Sequence, residues 1–248
     1  MPIRPGAEPW SYDADGEIGV LLLHGFTGSP ASMRPWGEDL ARQGWSVRVP
    51  RLPGHGTRWQ DMNITTWEDW YSEADRNLRE LGERCTRVFV CGLSMGGALT
   101  LRLAEQHGDD ICGIVLVNPA VHTERKDRHL LPLVKHLVGS FPGISNDIAK
   151  PGMDEVAYDR TPLKAAHSMM TMWSVVRDDI ALVRQPLLLF RSAQDNVVEA
   201  SNAEWILTHV ASTDTEEVVL EHSYHVATLD HDAHTIVEGS VNFIQRLA

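Results

Sequence analysis

Short apolar runs alternate with stretches of helical periodicity along most of this chain. The run GVLLLHGF at 19–26 is continuously apolar up to its Gly, the pattern of a strand buried on both faces. WSVRVPRL at 45–52 alternates apolar and polar positions and stops at PGHG. TRVFVCG at 86–92, CGIVLVNPAV at 112–121, PLLLFRS at 186–192 and EEVVLEH at 216–222 supply four more strands. Between them, helical spacing covers 31–43, 66–82, 94–107, 200–209 and 232–246. Strand and helix in this alternation predict an α/β fold, with a mostly parallel central sheet and helices on both faces.

The rhythm breaks once. Residues 122–183 contain no convincing strand, so the chain divides into a core, 1–121 with 184–248, and an inserted subdomain, 122–183. Within the insertion, HTERKDRH at 122–129 is a charge run that suits a solvated face. LLPLVKHLVGSF at 130–141 is apolar. TPLKAAHSMMTMWSVV at 161–176 has a helical pattern crowded with Met169, Met170, Met172 and Trp173, side chains that fill a core or offer a pliable apolar surface.

Chemistry concentrates in VFVCGLSMGGALTLRLAEQ, which reads as strand, tight turn and helix around Gly92, Leu93, Ser94, Met95 and Gly96. A serine on so sharp a turn needs neighbours without side chains, which Gly92 and Gly96 provide. The turn also sets its hydroxyl at the positive end of the following helix. A serine hydroxyl is a poor nucleophile without a base, and the base needs an orienting acid. On this architecture the chain order is Ser, acid, His. The loop after 186–192 supplies Asp195; Asp178 and Asp179 precede that strand, at the wrong end of the sheet. A turn or N-cap role for Asp195 is the plainer alternative. A strand–elbow–helix of this kind takes one oxyanion donor from the N–H after the nucleophile, here Met95. The second comes from the loop after an early strand, where Gly25 lets the backbone approach closely and Phe26 offers its N–H. His24, just before, suits a structural hydrogen bond holding that loop.

HSYHVATLDHDAH at 222–234 holds four histidines. His225, in the loop beyond the last strand, is better placed as the base than His222 at the strand end. His231 and His234 fall at the start of the last helix, where Asp230 or Asp232 could cap. His231 and His234 at i,i+3 have no Cys or carboxylate ligand set beside them, so no metal is expected. Trp67 and Trp70 in WEDWY lie at i,i+3 on one helix face and read as packing.

Composition narrows the partners. With 248 residues and 43% hydrophobic positions the chain can bury a full core. A net charge of −12 works against nucleic acid and anionic membrane as ligands. Cys85, Cys91 and Cys112 form no CxxC and cannot all pair, which fits free thiols in a reducing compartment. The N-terminal stretch lacks the apolar run of a signal peptide, and no run approaches the roughly 18 apolar residues of a membrane span. A cytoplasmic protein is expected.

The segments LLLHGFTGSPASMRPWGEDLARQGWSVRVPRLPGHGTRWQDM, TTWEDWY, CGLSMGGALTLRLAE and SYHVATLD together resemble the bacterial monoacylglycerol lipase and carboxylesterase group of the α/β-hydrolase superfamily. The resemblance covers nearly the whole chain and is weakest in 122–183. It implies an α/β-hydrolase fold and ester hydrolysis without metal or organic cofactor. Ser94, Asp195 and His225 would form the triad, with Phe26 and Met95 as oxyanion donors. It implies that the insertion is a small cap shaping an acyl pocket, with room for transient lipid contact through it. In such monoacylglycerol lipases a cap Glu contacts the glycerol moiety; Glu155, in DEVAYDRTP, holds that position. An exposed helix-terminal carboxylate is the other reading of Glu155. Two alternatives to a monoacylglycerol lipase stay open: a carboxylesterase of short or medium chain length without glycerol preference, and a non-catalytic ligand-binding protein on the same fold. The oligomeric state has no signature in the sequence.

Overall fold

The apolar runs assemble into one seven-stranded sheet in the computed structural model, which describes residues 2–248. The strands are β1 (Trp10–Tyr12), β2 (Ile18–Leu23), β3 (Ser46–Val49), β4 (Arg87–Leu93), β5 (Gly113–Val117), β6 (Ser140–Pro142), β7 (Arg160–Pro162), β8 (Leu187–Ser192) and β9 (Thr215–Leu220). The sheet order is β1-β3-β2-β4-β5-β8-β9, and β6 and β7 form a separate antiparallel pair. Only β1 runs against its neighbour in the large sheet.

Each inner strand sends alternate residues to opposite faces, as a period of two requires. Leu21, Val90, Leu116 and Leu189 enter one apolar cluster. Leu22, Phe89, Val115 and Phe190 enter the other. The helices are α1 (Arg34–Ala41), α2 (Trp59–Met62), α3 (Trp67–Gly82), α4 (Met95–His107), α5 (Leu131–Val134), α6 (Leu163–Asp179), α7 (Ser201–His209) and α8 (Ala233–Leu247). Residues of α3, α4, α6 and α7 line the first cluster and those of α1 and α8 the second, so the sheet is covered on both faces.

The long helices and six sheet strands fall where the periodicity placed them, with ends that differ by a few residues. The strand expected over 112–121 stops at Val117, because Asn118 takes φ 44° and Pro119 follows. The strand expected over 45–52 stops before Pro50. Strands β1, β6 and β7 span three residues each, too few to show a period. Two of them lie in the insertion, where no strand was expected.

The insertion has two parts. Helix α6 packs into the same cluster as the sheet, burying Ala165, Met172, Trp173 and Val176. Residues 122–162 are mostly irregular and leave Leu133 at 71% and Leu137 at 86% exposure.

The chain leaves β2 towards β3 on one side and leaves β4 towards β5 on the other. Loops at such a switch point diverge and open a crevice at the C-terminal ends of the strands. Leu23 and Gly92 are register partners at the ends of β2 and β4, so the loops beginning at His24 and Ser94 emerge side by side.

Candidate active site

Ser94 joins β4 to α4 with φ 56° and ψ −118°, a conformation a side-chain-bearing residue adopts only when its surroundings impose it. The surroundings are close. A Cβ on Gly92 would lie 2.2 Å from the Gly96 carbonyl oxygen, and one on Gly96 would lie 2.1 Å from that of Leu23. A third glycine, Gly97, admits Pro119, whose Cβ would otherwise be 2.8 Å from an added methyl. The Ser94 N–H donates to the Val117 carbonyl at 3.0 Å, and the Ser94 carbonyl accepts from the Ala120 N–H at 3.1 Å. The elbow is therefore pinned to the end of β5 from both sides.

The loop after β2 lies against it. A Cβ on Gly25 would sit 3.2 Å from Ser94 Cβ and 3.7 Å from its Oγ. Neither the Phe26 nor the Met95 backbone N–H donates to another group among the described residues. Met95 opens α4, where a first-turn N–H has no acceptor within the helix. His24 holds the loop from below. Its Nε2 accepts the Leu52 N–H at 3.2 Å, which fixes the proton on Nδ1, and Nδ1–H donates to the Gly25 carbonyl at 3.0 Å. Burial then drives this histidine down to about 4, so it stays neutral.

Asp195 stands in the loop after β8. Its Oδ2 meets His225 Nδ1 at 2.7 Å, and its Oδ1 accepts the N–H groups of Val197 and Val198, both at 2.8 Å. The turn role and the pairing with histidine are thus carried by different oxygens of one carboxylate. Burial raises the Asp195 carboxyl, but the His225 charge, the hydrogen bond to it and the two N–H donors outweigh that and hold it below its ordinary value. Burial likewise lowers the His225 imidazole. The Asp195 charge and hydrogen bond, helped by Glu155 and Asp147, win and hold it above the ordinary histidine value. With Nδ1 turned to the carboxylate, Nε2 is the nitrogen left to exchange a proton.

Both backbone polar groups of His225 are held as well. Its carbonyl accepts from Asn118 Nδ2 at 2.8 Å, and its N–H donates to Asp147 Oδ2 at 3.1 Å. His222, His231 and His234 are exposed, and no cluster that could hold a metal ion occurs among the described residues. Asp232 precedes α8, but its side chain does not cap the helix. It accepts instead from the His222 N–H and the Ser223 hydroxyl, at 2.8 and 3.0 Å, bracing the loop that carries His225. Asp230 accepts four backbone N–H groups: Tyr224 and His231 beside it, and Ala149 and Lys150 from the insertion. Asp179 pairs with Arg102 at 2.7 Å, away from Ser94.

Glu155 is not an exposed helix-terminal carboxylate. It lies in irregular chain and is 9% exposed. Its Oε1 accepts the Asn146 N–H at 2.8 Å, and its own N–H donates to Asn146 Oδ1 at 2.9 Å. Its carbonyl accepts the Ser29 hydroxyl at 2.9 Å, and a Cβ on Gly28 would be 3.4 Å from Oε2. Burial raises the Glu155 carboxyl, partly offset by the Asn146 N–H and the charge of His225.

Of the residues expected from the sequence, the structure places Ser94 on the strand-to-helix turn and brings Asp195 and His225 together at 2.7 Å. Asn118 and Asp147 had no local signal, and Asp230 read only as a possible cap of the last helix. An Asn or Asp in a loop reads as turn chemistry until the distant N–H it serves is known.

A serine elbow at the switch point of a mostly parallel sheet, with a buried Asp–His pair on the following loops, defines an α/β-hydrolase of the serine type. The chain belongs to the family described as serine aminopeptidase, S33, whose model matches residues 17–232. It is similar to the thermostable monoacylglycerol lipase of Bacillus sp. (strain H-257), at 42% identity over 100% of this chain and 98% of that protein. It is similar also to a carboxylesterase of Bacillus subtilis (strain 168), at 26% identity over 97% of each. A solved chain from work on LipS and LipT, two metagenome-derived lipolytic enzymes, superposes with a TM-score of 0.95 at 42% identity, covering 99% of this chain and 100% of that one.

Proposed function

We propose that the protein hydrolyses monoacylglycerols to fatty acid and glycerol, with Ser94 as nucleophile, His225 as general base and Asp195 as its orienting acid. The observation that carries the reading is the 2.7 Å His225–Asp195 contact on the loops that follow the Ser94 elbow in the chain. Ser94 Oγ attacks the ester carbonyl carbon while its proton passes to His225 Nε2. The carbonyl oxygen becomes an oxyanion held by the Phe26 and Met95 N–H groups, each such donor being worth about 3 kcal/mol. The tetrahedral intermediate collapses, and the leaving alcohol takes the proton from Nε2. Water then opens the acyl-enzyme by the same route. No step requires a metal or organic cofactor.

The preference for monoacylglycerols rests on the 42% identical relative and on Glu155. With Oε1 engaged by Asn146, Oε2 is free to accept a glycerol hydroxyl beside the Gly28 loop. Leu133, Leu137, Phe141 and Ile144, exposed on the insertion, suit brief contact with a lipid surface. None of the described helices is long and apolar enough to cross a membrane. Cytoplasmic residence belongs to this reading, in keeping with the free thiols Cys85, Cys91 and Cys112.

The test compares monoacylglycerols with p-nitrophenyl esters of matched chain length. Because its carboxylate also braces Asn146, Glu155→Ala is read as a ratio: kcat/KM is expected to fall about tenfold further on the former than on the latter, the worth of one charged hydrogen bond. Equal rates in wild type and variant on both substrates would favour a carboxylesterase without glycerol preference, which the Bacillus subtilis relative makes the second reading. Efficient triacylglycerol hydrolysis would overturn the monoacylglycerol assignment. Fluorophosphonate labelling that is lost in Ser94→Ala marks an enzyme; a wild-type protein that takes no label would be a binding protein on this fold.

A further inference from the structure

We propose that Asp147, supplied by the insertion, is a positioning residue for His225: its carboxylate ties the loop carrying the base to the loop carrying the acid. This rests on the triad proposed above. Asp147 Oδ2 accepts the His225 N–H at 3.1 Å and the Asn196 N–H at 3.3 Å, and its Oδ1 accepts from Asn196 Nδ2 at 2.9 Å. Asn196 directly follows Asp195. The Asp147 carbonyl accepts the Val226 N–H at 3.0 Å, so two consecutive amides of the base loop end on one residue.

The neighbours of Asp147 keep it there. Asn146, at φ 53°, is locked to Glu155 by two hydrogen bonds, and through Glu155 to Ser29 in the loop beyond Phe26. Ala149 and Lys150 are tied to Asp230 at 2.7 and 2.9 Å. The segment 146–150 is therefore anchored on both sides of Asp147, which sits where the acid and base loops face each other. The core holds the His225 carbonyl through Asn118, and the insertion holds its N–H through Asp147. Removing the second tie frees the base to drift, and a displacement of about 1 Å at such a group can cost a hundredfold in rate. Asp147 also adds negative charge near the imidazole, in company with Asp195 and Glu155, which are the other charged groups acting on it.

Position and charge separate in two variants. Asp147→Asn keeps an oxygen for the two N–H donors, and its amide nitrogen meets Asn196 once that side chain turns over. Asp147→Ala removes both tie and charge. With a soluble p-nitrophenyl ester, Asp147→Ala is expected to lose about tenfold to a hundredfold in kcat with KM within about twofold. Asp147→Asn is expected to restore kcat to within about threefold of wild type. In both, the acidic limb of the kcat/KM profile moves to lower pH, because a negative charge that favoured the imidazolium is gone. Alanine and asparagine variants that match wild type in kcat and in pH profile would overturn the proposal. So would an asparagine variant as slow as the alanine one at unchanged melting temperature. Failure of the underlying triad is seen separately: wild type would resist fluorophosphonate, or His225→Ala would retain full activity, and the positioning role would fall with it.

Discussion

Among the described residues, five other than glycine have positive φ: Thr27, Ser94, Asn118, Asn146 and Val156. All five lie in segments that meet around Ser94, His225 and Glu155, and each such conformation costs about 1–3 kcal/mol. Backbone strain is concentrated where groups must be aimed. Two single residues give checkable consequences. In the proposed mechanism His225 has to be neutral to take the Ser94 proton, and its surroundings hold it above the ordinary histidine value of 6.5. The acidic limb of kcat/KM is therefore expected above pH 6.5, measured on a non-ionising ester from pH 5 to 9; a midpoint at or below that value would contradict the Asp195 contact. Glu105 on α4 is the second case. Burial pushes its carboxyl up to about 8, although Arg102 lies 2.9 Å from Oε2, because Oε1 has no donor. The folded state then keeps a proton that the unfolded chain releases near 4.5, so stability falls as pH rises from there to about 8. Glu105→Gln is expected to leave the melting temperature unchanged at pH 4. At pH 8 it should raise it by roughly 2–4 °C, corresponding to about 1 kcal/mol in a domain of this size. Arg102 retains Asp179 as a partner. The Ser94 turn and the Asp195–His225 pair were readable in the sequence because elbow spacing and chain order are local or one-dimensional. The burial of Glu155 and the four donors on Asp230 were not, since they depend on segments about 80 positions apart in the case of Ala149 and Lys150.

At the level of elements, the elbow depends on how closely α4 approaches the end of β2. The Gly96 site has no slack, with the Leu23 carbonyl 2.1 Å and the His24 carbonyl 2.8 Å from an added methyl. Both obstacles are backbone, so neither can rotate aside. Gly96→Ala is expected to cost about 3 kcal/mol or more, read as a lowered midpoint in urea, and to abolish fluorophosphonate labelling of Ser94 in whatever fraction folds. A variant with wild-type stability and labelling would mean that the β2–α4 contact yields. Periodicity located every long helix and the six strands of the large sheet other than β1, because a run of four or more apolar or alternating residues carries its own signature. It passed over β1 and the β6–β7 pair, whose three residues apiece are held by partners and not by pattern. It also misjudged Asp232, which has the residue type and position of an N-cap but spends its carboxylate on the preceding loop.

For the whole molecule, residues 122–183 divide between core and surface. Helix α6 belongs to the common core, whereas 122–162 carries Leu133, Leu137, Phe141 and Ile144 outwards. A double substitution, Leu133→Ser with Leu137→Ser, is expected to lower the rate on monoacylglycerol dispersed in vesicles about a hundredfold, since each of the two leucines buried in lipid is worth about 1.5 kcal/mol or more. The rate on a soluble p-nitrophenyl ester should be unaffected. Equal losses on both substrates would indicate that these leucines support the fold and make no contact with lipid.

The four backbone donors gathered by Asp230 also bear on how this enzyme could be re-engineered. Two of them, Ala149 and Lys150, belong to the insertion, and the other two, Tyr224 and His231, belong to the core. A chimera cut at 122 and 183 would import foreign amides opposite a carboxylate that is 1% exposed, and would strip the His225 N–H of its acceptor. Residues 122–183 are therefore not an interchangeable cassette. A swap between relatives would have to carry at least 223–232 with the insertion, and to keep a partner for Asn196 as well.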